Sequence, residues 1–402
     1  MVNREIYMNQ ISSFIDHELI KVITGIRRCG KTYFLNFIVE ELYKRNIKKE
    51  NIIFINFNEK PYNHVENTRE LDLLVENLVK NITGKVYLFF DEIQNVDEWQ
   101  KSVISFSTLY DCDIYISGSN SKMLSGELST LLTGRYVQIK MYPFSFNEFL
   151  DYKNHTYPVT DDIFEEYLIY GGMPVIPSIK DKNNKKKYLT DLYSSILLND
   201  VVSRHNIRDV GILKRLVEFL IDNIGKPLSL TGILEYLKEK RIKVSRKTIY
   251  NYLDYLQEAC ILEKAIDEDL EGKKIFLINE KYYIVDHGFR QAINGNNLKN
   301  ISRLIENIVY IELLRRGYDI SIGKVEGKEV DFVCRQNDKI IYVQVSYHLD
   351  SDEVIEREFG SLLLIKDNFP KYVISMDKFD FSQKGIIHLN LVDFLTYKKG
   401  DI

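Results

Sequence analysis

The sequence predicts an α/β protein of several domains, the first of them a parallel sheet laid around a phosphate-binding loop. Three observations carry this expectation. Gly25-Ile26-Arg27-Arg28-Cys29-Gly30-Lys31-Thr32 follows the pattern G-x-x-x-x-G-K-T. It lies between an apolar run, Leu19 to Ile23, and a segment with Phe34, Leu35, Ile38 and Leu42 at helical spacing. Val86-Tyr87-Leu88-Phe89-Phe90 reads as a buried strand and ends in Asp91-Glu92. From about residue 207 the pattern changes to short helices followed by strand-like runs.

Residues 1–18 read as a polar helix, and Leu19 to Thr24 as the strand that feeds the loop. Gly25 and Gly30 let backbone N–H groups turn inward around phosphate oxygens. The helix that starts at Lys31 adds partial positive charge at its N-terminus. The chemistry expected of Gly25 through Tyr33 is therefore ATP binding, with Lys31 on the β/γ-phosphates and the Thr32 hydroxyl on Mg²⁺. Arg27 and Arg28 are read two ways, as phosphate contacts or as solvated side chains. Residues 51–57 form an apolar strand, a polar loop with Pro61 follows, and Leu71 to Asn81 has helical spacing. Asp91 is expected to hold Mg²⁺ and Glu92 to orient and deprotonate the attacking water. The strand at 113–117 ends in Gly118-Ser119-Asn120, where ligands of parallel sheets lie. Asn120 is the first choice for a residue sensing the γ-phosphate or the water, with Ser117 and Ser119 next; a helix cap by Ser119 or Asn120 is the alternative.

The array GIRRCGKT (25–32), FFDEIQNV (89–96), ISGSNSKML (116–124), LLTGRY (131–136) and YPFSFNEFL (142–150) resembles the prokaryotic AAA-type P-loop ATPases fused to a nuclease-like C-terminal domain of unassigned function. The resemblance implies a γ-phosphate or trans-acting role for Arg135; a plain surface arginine is the alternative. It also implies that Gly171-Gly172-Met173-Pro174 makes the turn of a helical lid. The lysine run 185–187 reads as a solvated loop, and Asp200 and Arg204 as an i, i+4 helix pair.

Helices expected around Leu213–Ile221, from Ser229 to Lys240 and from Ser245 onward, then strands at 262–266 and 275–278, make a winged helix-turn-helix. Arg241, Lys243, Arg246 and Lys247 suit DNA phosphates, while Asp267-Glu268-Asp269 argues against DNA. A packing or protein-contact module is the other reading. The last stretch has a helix, Leu298 to Arg316, and strands at 319–324, 329–333 and 340–346. It resembles the PD-(D/E)xK nuclease core. That resemblance implies a metal-binding helix Glu at Glu306 and strand Asp at Asp331. The next acid is replaced by Gln344 and the lysine by Ser346, so the site is degenerate; Lys324 or Lys328 are the candidates for a migrated lysine.

The expected architecture is thus a P-loop NTPase parallel sheet (1–155), a helical lid (156–206), a winged-helix domain (207–295) and a restriction-endonuclease-like α/β domain (296–402). The formal net charge of −4 gives no global basic field for nucleic acid. No apolar run is long enough for a membrane span, and the N-terminus has no apolar signal core. Four scattered cysteines without C-x-x-C argue against zinc and disulfides and fit a cytoplasmic setting. Three functions are weighed: a Mg²⁺-dependent ATPase, an ATP-gated DNA-binding effector or nuclease, and a non-hydrolysing ATP-dependent scaffold for a protein partner. A homo-oligomer is expected if Arg135 acts across an interface.

Overall fold

The computed structural model describes residues 2–124, 134–155, 158–271, 279–295, 298 and 300–396. It divides into two compact units, each described by itself. One comprises Val2–Pro143 with Glu258–Cys260, the other Phe144–Gln257 with Ile261–Ile402. The expected borders at 155/156, 206/207 and 295/296 do not coincide with this division.

In the first unit helix α1 (Glu5–Ser12) leads to β1 (Ile20–Gly25), and α2 (Lys31–Lys44) follows the loop. Then come β2 (Ile52–Asn56), α3 (Thr68–Val79), β3 (Val86–Asp91), α4 (Trp99–Leu109), β4 (Cys112–Gly118) and β5 (Tyr136–Met141). The five strands are parallel in the order β2-β3-β4-β1-β5. β1 and β3 are buried along their whole length, as continuous apolar strands covered on both faces should be. Strand 52–57 separates the loop strand from the acidic strand in sequence, but in the sheet it is an edge. β4 stands between β1 and β3, so its C-terminal residues are placed beside both. Deep at the other end of the sheet, the buried Lys21 ammonium pairs with Asp113, which also accepts from Tyr115 Oη at 2.9 Å and Asp16 N at 2.8 Å. This charge is expensive to bury and is compensated by several donors on one carboxylate. Residues 131–133 of the LLTGRY stretch and the strand expected at 275–278 lie outside the described residues.

The second unit begins with α5 (Phe146–Tyr152), capped by a reciprocal Ser145–Glu148 box, and α6 (Asp161–Tyr170). The lysine run is not a solvated loop. It lies in α7 (Lys182–Ile196), and Lys185 is buried, with Nζ 2.6 Å from Glu166 Oε1 and over the Tyr170 ring. The Glu166 carboxylate and the aromatic face supply what water would have given. Asp200 and Arg204 do meet, at 3.9 Å, in a π-helical turn. The Gly171-Gly172 turn is clamped by a buried carboxylate: Asp286 Oδ2 accepts from Gly172 N at 2.9 Å and Oδ1 from Gly288 N at 2.8 Å. Side chains at these glycines would collide, since a Cβ on Gly172 would stand 2.1 Å from Phe144 O. Burial pushes the Asp286 carboxyl up to about 7, against the pull of the glycine N–H groups.

α8 (Val210–Asp222), β6 (Pro227–Leu228), α9 (Leu230–Glu239), α10 (Arg246–Glu258), β7 (Leu262–Asp269) and β8 (Glu280–Ile284) follow. Short α11 (Gly288–Asn294) leads to α12 (Ile301–Arg315), β9 (Asp319–Val325), β10 (Lys328–Gln336) and β11 (Lys339–Val345). α13 (Asp352–Leu363), β12 (Lys371–Ser375), β13 (Ile387–Asn390) and α14 (Leu391–Thr396) complete the unit. All eight strands belong to one sheet, ordered β13-β12-β11-β10-β9-β7-β8-β6. β7 runs parallel to β9, pairing Asp267 with Ile322 and Asp269 with Lys324. The acidic stretch thereby lies in the sheet, where Glu268 takes Arg335 through both carboxylate oxygens at 2.6 Å.

Candidate nucleotide-binding site

The loop at the C-terminal end of β1 is built by backbone conformation. Gly25 has φ 151°, Arg28 φ 66° and Gly30 φ 108°, and Gly30 is the left-handed cap from which α2 starts. A Cβ on Gly25 would stand 2.3 Å from Met141 O. Ile26 and Cys29 are buried, and burial pushes the Cys29 thiol up. The loop is held from behind by Arg4, a residue that its sequence context gave no reason to single out. Its guanidinium donates to Cys29 O at 3.1 Å and Tyr142 O at 2.5 Å.

Lys31, 3% exposed, donates to Gly25 O at 3.0 Å and Ile26 O at 3.3 Å, and its Nζ is 3.5 Å from Glu92 Oε1. Thr32 Oγ1 donates to Asp91 Oδ2 at 2.7 Å, and Ser117 Oγ donates to Asp91 Oδ1. Glu92 N donates to Ser117 Oγ at 3.1 Å. β4, lying between the other two strands, thus brings Ser117 to both acids. Asn120, the first choice from sequence, precedes the 3-10 turn Ser121–Leu124, its carbonyl accepting from Met123 N at 3.3 Å. Ser117, the next choice, has its hydroxyl on the Asp91 carboxylate and on the Glu92 backbone N–H.

Burial pushes the Asp91 carboxyl above its usual range, against the Ser117 and Thr32 hydroxyls. Burial works on Glu92 in the same sense, but Lys31, then the Gln94 amide and Arg27, hold it below the usual carboxylate range. Burial is the largest influence and opposes the Lys31 charge, but Glu92, Cys29, Cys260 and Asp91 together hold the ammonium above its usual range. The two neighbouring acids are therefore shifted in opposite directions. The Thr32 hydroxyl and the Asp91 carboxylate are hard oxygen donors in contact, which fits Mg²⁺. The open glycine turn fits a phosphate chain.

Arg27 is half-buried and Arg28 exposed. Tyr33 is 69% exposed and lines a cleft of about 500 Å³ with Thr32, Asn36, Asn56 and Lys60; it is not among the groups gathered around Lys31. The within-chain reading of Arg135 is corrected. It is exposed and precedes β5, whose other end, Met141, pairs with Gly25. Six residues of strand separate it from the loop by about 20 Å, beyond an arginine's reach. A role for Arg135 then requires a second copy, and sedimentation with and without ATP decides that point.

In the second unit, Glu306, Asp331 and Gln344 do come together, on a cavity of about 450 Å³ that Glu329, Lys328 and Glu358 also line. Ser346 does not join them: its hydroxyl donates to His348 O at 3.1 Å. Each carboxylate is already engaged. Lys281 Nζ, from β8, lies 2.6 Å from Glu329 Oε1 and 3.3 Å from Glu306 Oε1, and Tyr283 Oη donates to Glu306 at 2.8 Å. Val345 N donates to Asp331 Oδ2 at 2.8 Å, and Gln344 Nε2 to Glu358 Oε2 at 2.8 Å. Among the described residues no group of three His, Cys, Asp or Glu side chains is disposed to hold a metal ion. Lys281 and Glu358 come from elements outside the motif, so spacing within the motif gave no sign of them.

The first unit thus combines a P-loop, a five-stranded parallel sheet and a pair of acids at a strand end. Residues 17–150 match the family described as an AAA domain, and residues 161–300 match a domain of unknown function (DUF8612). The chain belongs to the family of a Haemophilus influenzae protein described as uncharacterized, to which it is 39% identical over 398 residues, 98% of each chain. A Methanocaldococcus jannaschii protein, also described as uncharacterized, is 34% identical over 87% of this chain and 78% of its own. Among solved structures, the Aeropyrum pernix ORC1 protein in complex with DNA is similar over 75% of this chain and 93% of that one, with 12% identity and TM-score 0.34. Cdc6p from Pyrobaculum aerophilum is similar over 77% and 96%, with 12% identity and TM-score 0.31. No helix among the described residues is long and apolar enough to cross a membrane.

Proposed function

We propose that the chain binds ATP with Mg²⁺ at the Gly25–Thr32 loop, hydrolyses it, and uses the cycle to drive or gate the second unit. The observation that carries this reading is the juxtaposition of Lys31 and Thr32, which follow β1, with Asp91 and Glu92 at the end of β3, across the intervening β4. Thr32 and Asp91 are the side chains that would hold Mg²⁺, which neutralises phosphate charge when bound. Lys31, released from Gly25 O and Ile26 O, turns its ammonium to the phosphates. Glu92, kept ionised, takes a proton from water as the water attacks in line. Calorimetry of the full chain tests the binding. ATP with Mg²⁺ should bind, and Lys31→Ala should weaken binding about 10–100-fold, the worth of a charged hydrogen bond. No heat with the folded wild-type chain would overturn the reading.

A second reading, that the unit also contacts DNA, is favoured by one observation. Arg241, Lys243, Arg246 and Lys247 stand exposed around the start of α10, and none of them makes an ion pair among the described residues. Elsewhere in this unit cations such as Lys185, Arg335 and Lys281 are matched by carboxylates. The helix–strand–helix–helix–strand–strand order of 210–284 supports a winged helix, and of the acids at 267–269 Glu268 is paired with Arg335. The order helix, three antiparallel strands, helix, strand from Ile301 to Ser375 supports a nuclease-like scaffold. Its carboxylates are occupied by the chain's own donors, which supports DNA binding without cleavage. Duplex DNA should therefore bind in a salt-dependent way and remain intact with Mg²⁺ or Mn²⁺. Arg246→Ala and Lys247→Ala should each reduce the salt slope by about 1. Binding indifferent to both substitutions, or cutting abolished by Asp331→Ala, counts against this reading.

A further inference from the structure

Glu92 sits at the end of β3 with φ 56°, the first residue of a turn that continues as the 3-10 segment Ile93–Asn95. That turn is anchored twice. Ile93 is fully buried, and Asn95 Nδ2 donates to Asn58 Oδ1 at 2.9 Å. Between the anchors the Gln94 side chain folds back, and its Nε2 donates to Glu92 Oε2 at 2.5 Å. The opposite oxygen, Oε1, faces Lys31 Nζ at 3.5 Å. The two carboxylate oxygens therefore have different partners, one from the loop and one from the turn.

The amide is set in a socket. A Cβ on Gly118, at the end of β4, would stand 1.8 Å from Met123 Sδ and 2.5 Å from Gln94 Oε1, so the Gln94 amide and the Met123 side chain share the space this glycine leaves. Gln94 Oε1 is buried without a hydrogen-bond partner among the described residues. Turning the amide over would not improve matters, because Oε1 would then oppose Glu92 Oε2, two acceptors in contact. An ionised Glu92 thus fixes the amide, and the amide fixes that oxygen.

We propose that Gln94 is a positioning residue for ATP hydrolysis: it pins one oxygen of Glu92 so that the other, once Lys31 turns to phosphate, is left to receive the proton of the attacking water. This rests on the ATPase reading above. In the step, the water oxygen forms the bond to the γ-phosphorus and its proton passes to Glu92 Oε1. The bond from the γ-phosphorus to the bridging oxygen breaks, and that electron pair leaves on ADP. Gln94 touches neither the loop amides nor Thr32, so its contribution falls on turnover and not on binding.

Gln94→Leu removes the donor, and Gln94→Met does so while keeping the length, which provides a second variant should the first not fold. Either should lower kcat about 100-fold, the effect of a reacting group displaced by about 1 Å. KM and the calorimetric Kd for ATP should stay within about twofold of wild type. In the Glu92→Gln background the same substitution should change kcat by less than about twofold, because nothing is left to position. Wild-type kcat in both Gln94 variants, a rise in KM in place of a loss in kcat, or additive losses in the double variant would each overturn the proposal. If Glu92→Gln itself hydrolyses ATP at the wild-type rate, the failure lies with the base and not with Gln94.

Discussion

Glu92→Gln should bind ATP about as well as the wild type and turn it over 10²–10⁴ times more slowly, roughly the contribution of a positioned base. The substitution keeps the shape and one hydrogen-bonding oxygen. It removes the charge that faces Lys31 at 3.5 Å. Before nucleotide arrives, that carboxylate is the ammonium's counter-ion; with nucleotide bound, the phosphates take over the role. Losing it therefore frees Lys31 for ATP, and binding is expected to be unchanged or tighter. Turnover suffers because, among the described residues, the other groups around Lys31 are poorly suited to take the water's proton. Asp91 is the adjacent acid, but its oxygens accept from Thr32 and Ser117. Lys31, an ammonium paired with the phosphates once ATP is bound, has no lone pair to offer. Phosphate release measured beside calorimetric binding decides the matter. A variant that releases phosphate at the wild-type rate removes Glu92 from the reaction.

The loop and its two acids were legible because their chemistry is local. Glycines at fixed spacing, a lysine at a helix start and an acid pair at a strand end each state their own geometry. What the sequence could not order was the sheet. Ser117 and Asn120 are equally polar residues of one strand end, and only the insertion of β4 between β1 and β3 puts Ser117 against both acids. Arg135 shows the same limit, since its distance from the loop follows from which end of β5 faces Gly25. The lysine run was misread because a run of like charges looks solvated until a partner such as Glu166 comes from another helix. In the second unit the helix and three strands around Glu306 and Asp331 appear close to their expected places. Lys281 came from a hairpin whose pairing across to β9 is non-local.

That lysine carries the other large effect. Lys281→Met should destabilise the fold by about 3–5 kcal/mol, the usual cost of removing one partner from a buried ion pair. The ammonium is 2% exposed and lies between Glu306 and Glu329. Glu329 keeps Lys324 at 2.6 Å when Lys281 is gone. Among the described residues Glu306 keeps the Tyr283 hydroxyl, and it faces Asp331, whose carboxyl is already raised well above its usual range by burial and by Glu306 itself. Burial also raises Glu306, with Lys281 the largest force opposing it. Without Lys281 the folded-state pKa of Glu306 rises further above its unfolded value. A carboxyl shifted in that direction loses stability as pH rises from the unfolded toward the folded pKa. The defect should therefore be smaller at pH 5 than at pH 8, and urea unfolding at the two values will show it. Lys281→Met with Glu306→Gln should recover part of the loss, with a coupling of about 1–3 kcal/mol. A single variant within about 1 kcal/mol of wild type at pH 8 would mean that Glu306 is neutral in the native fold, and that the ammonium serves Glu329 alone.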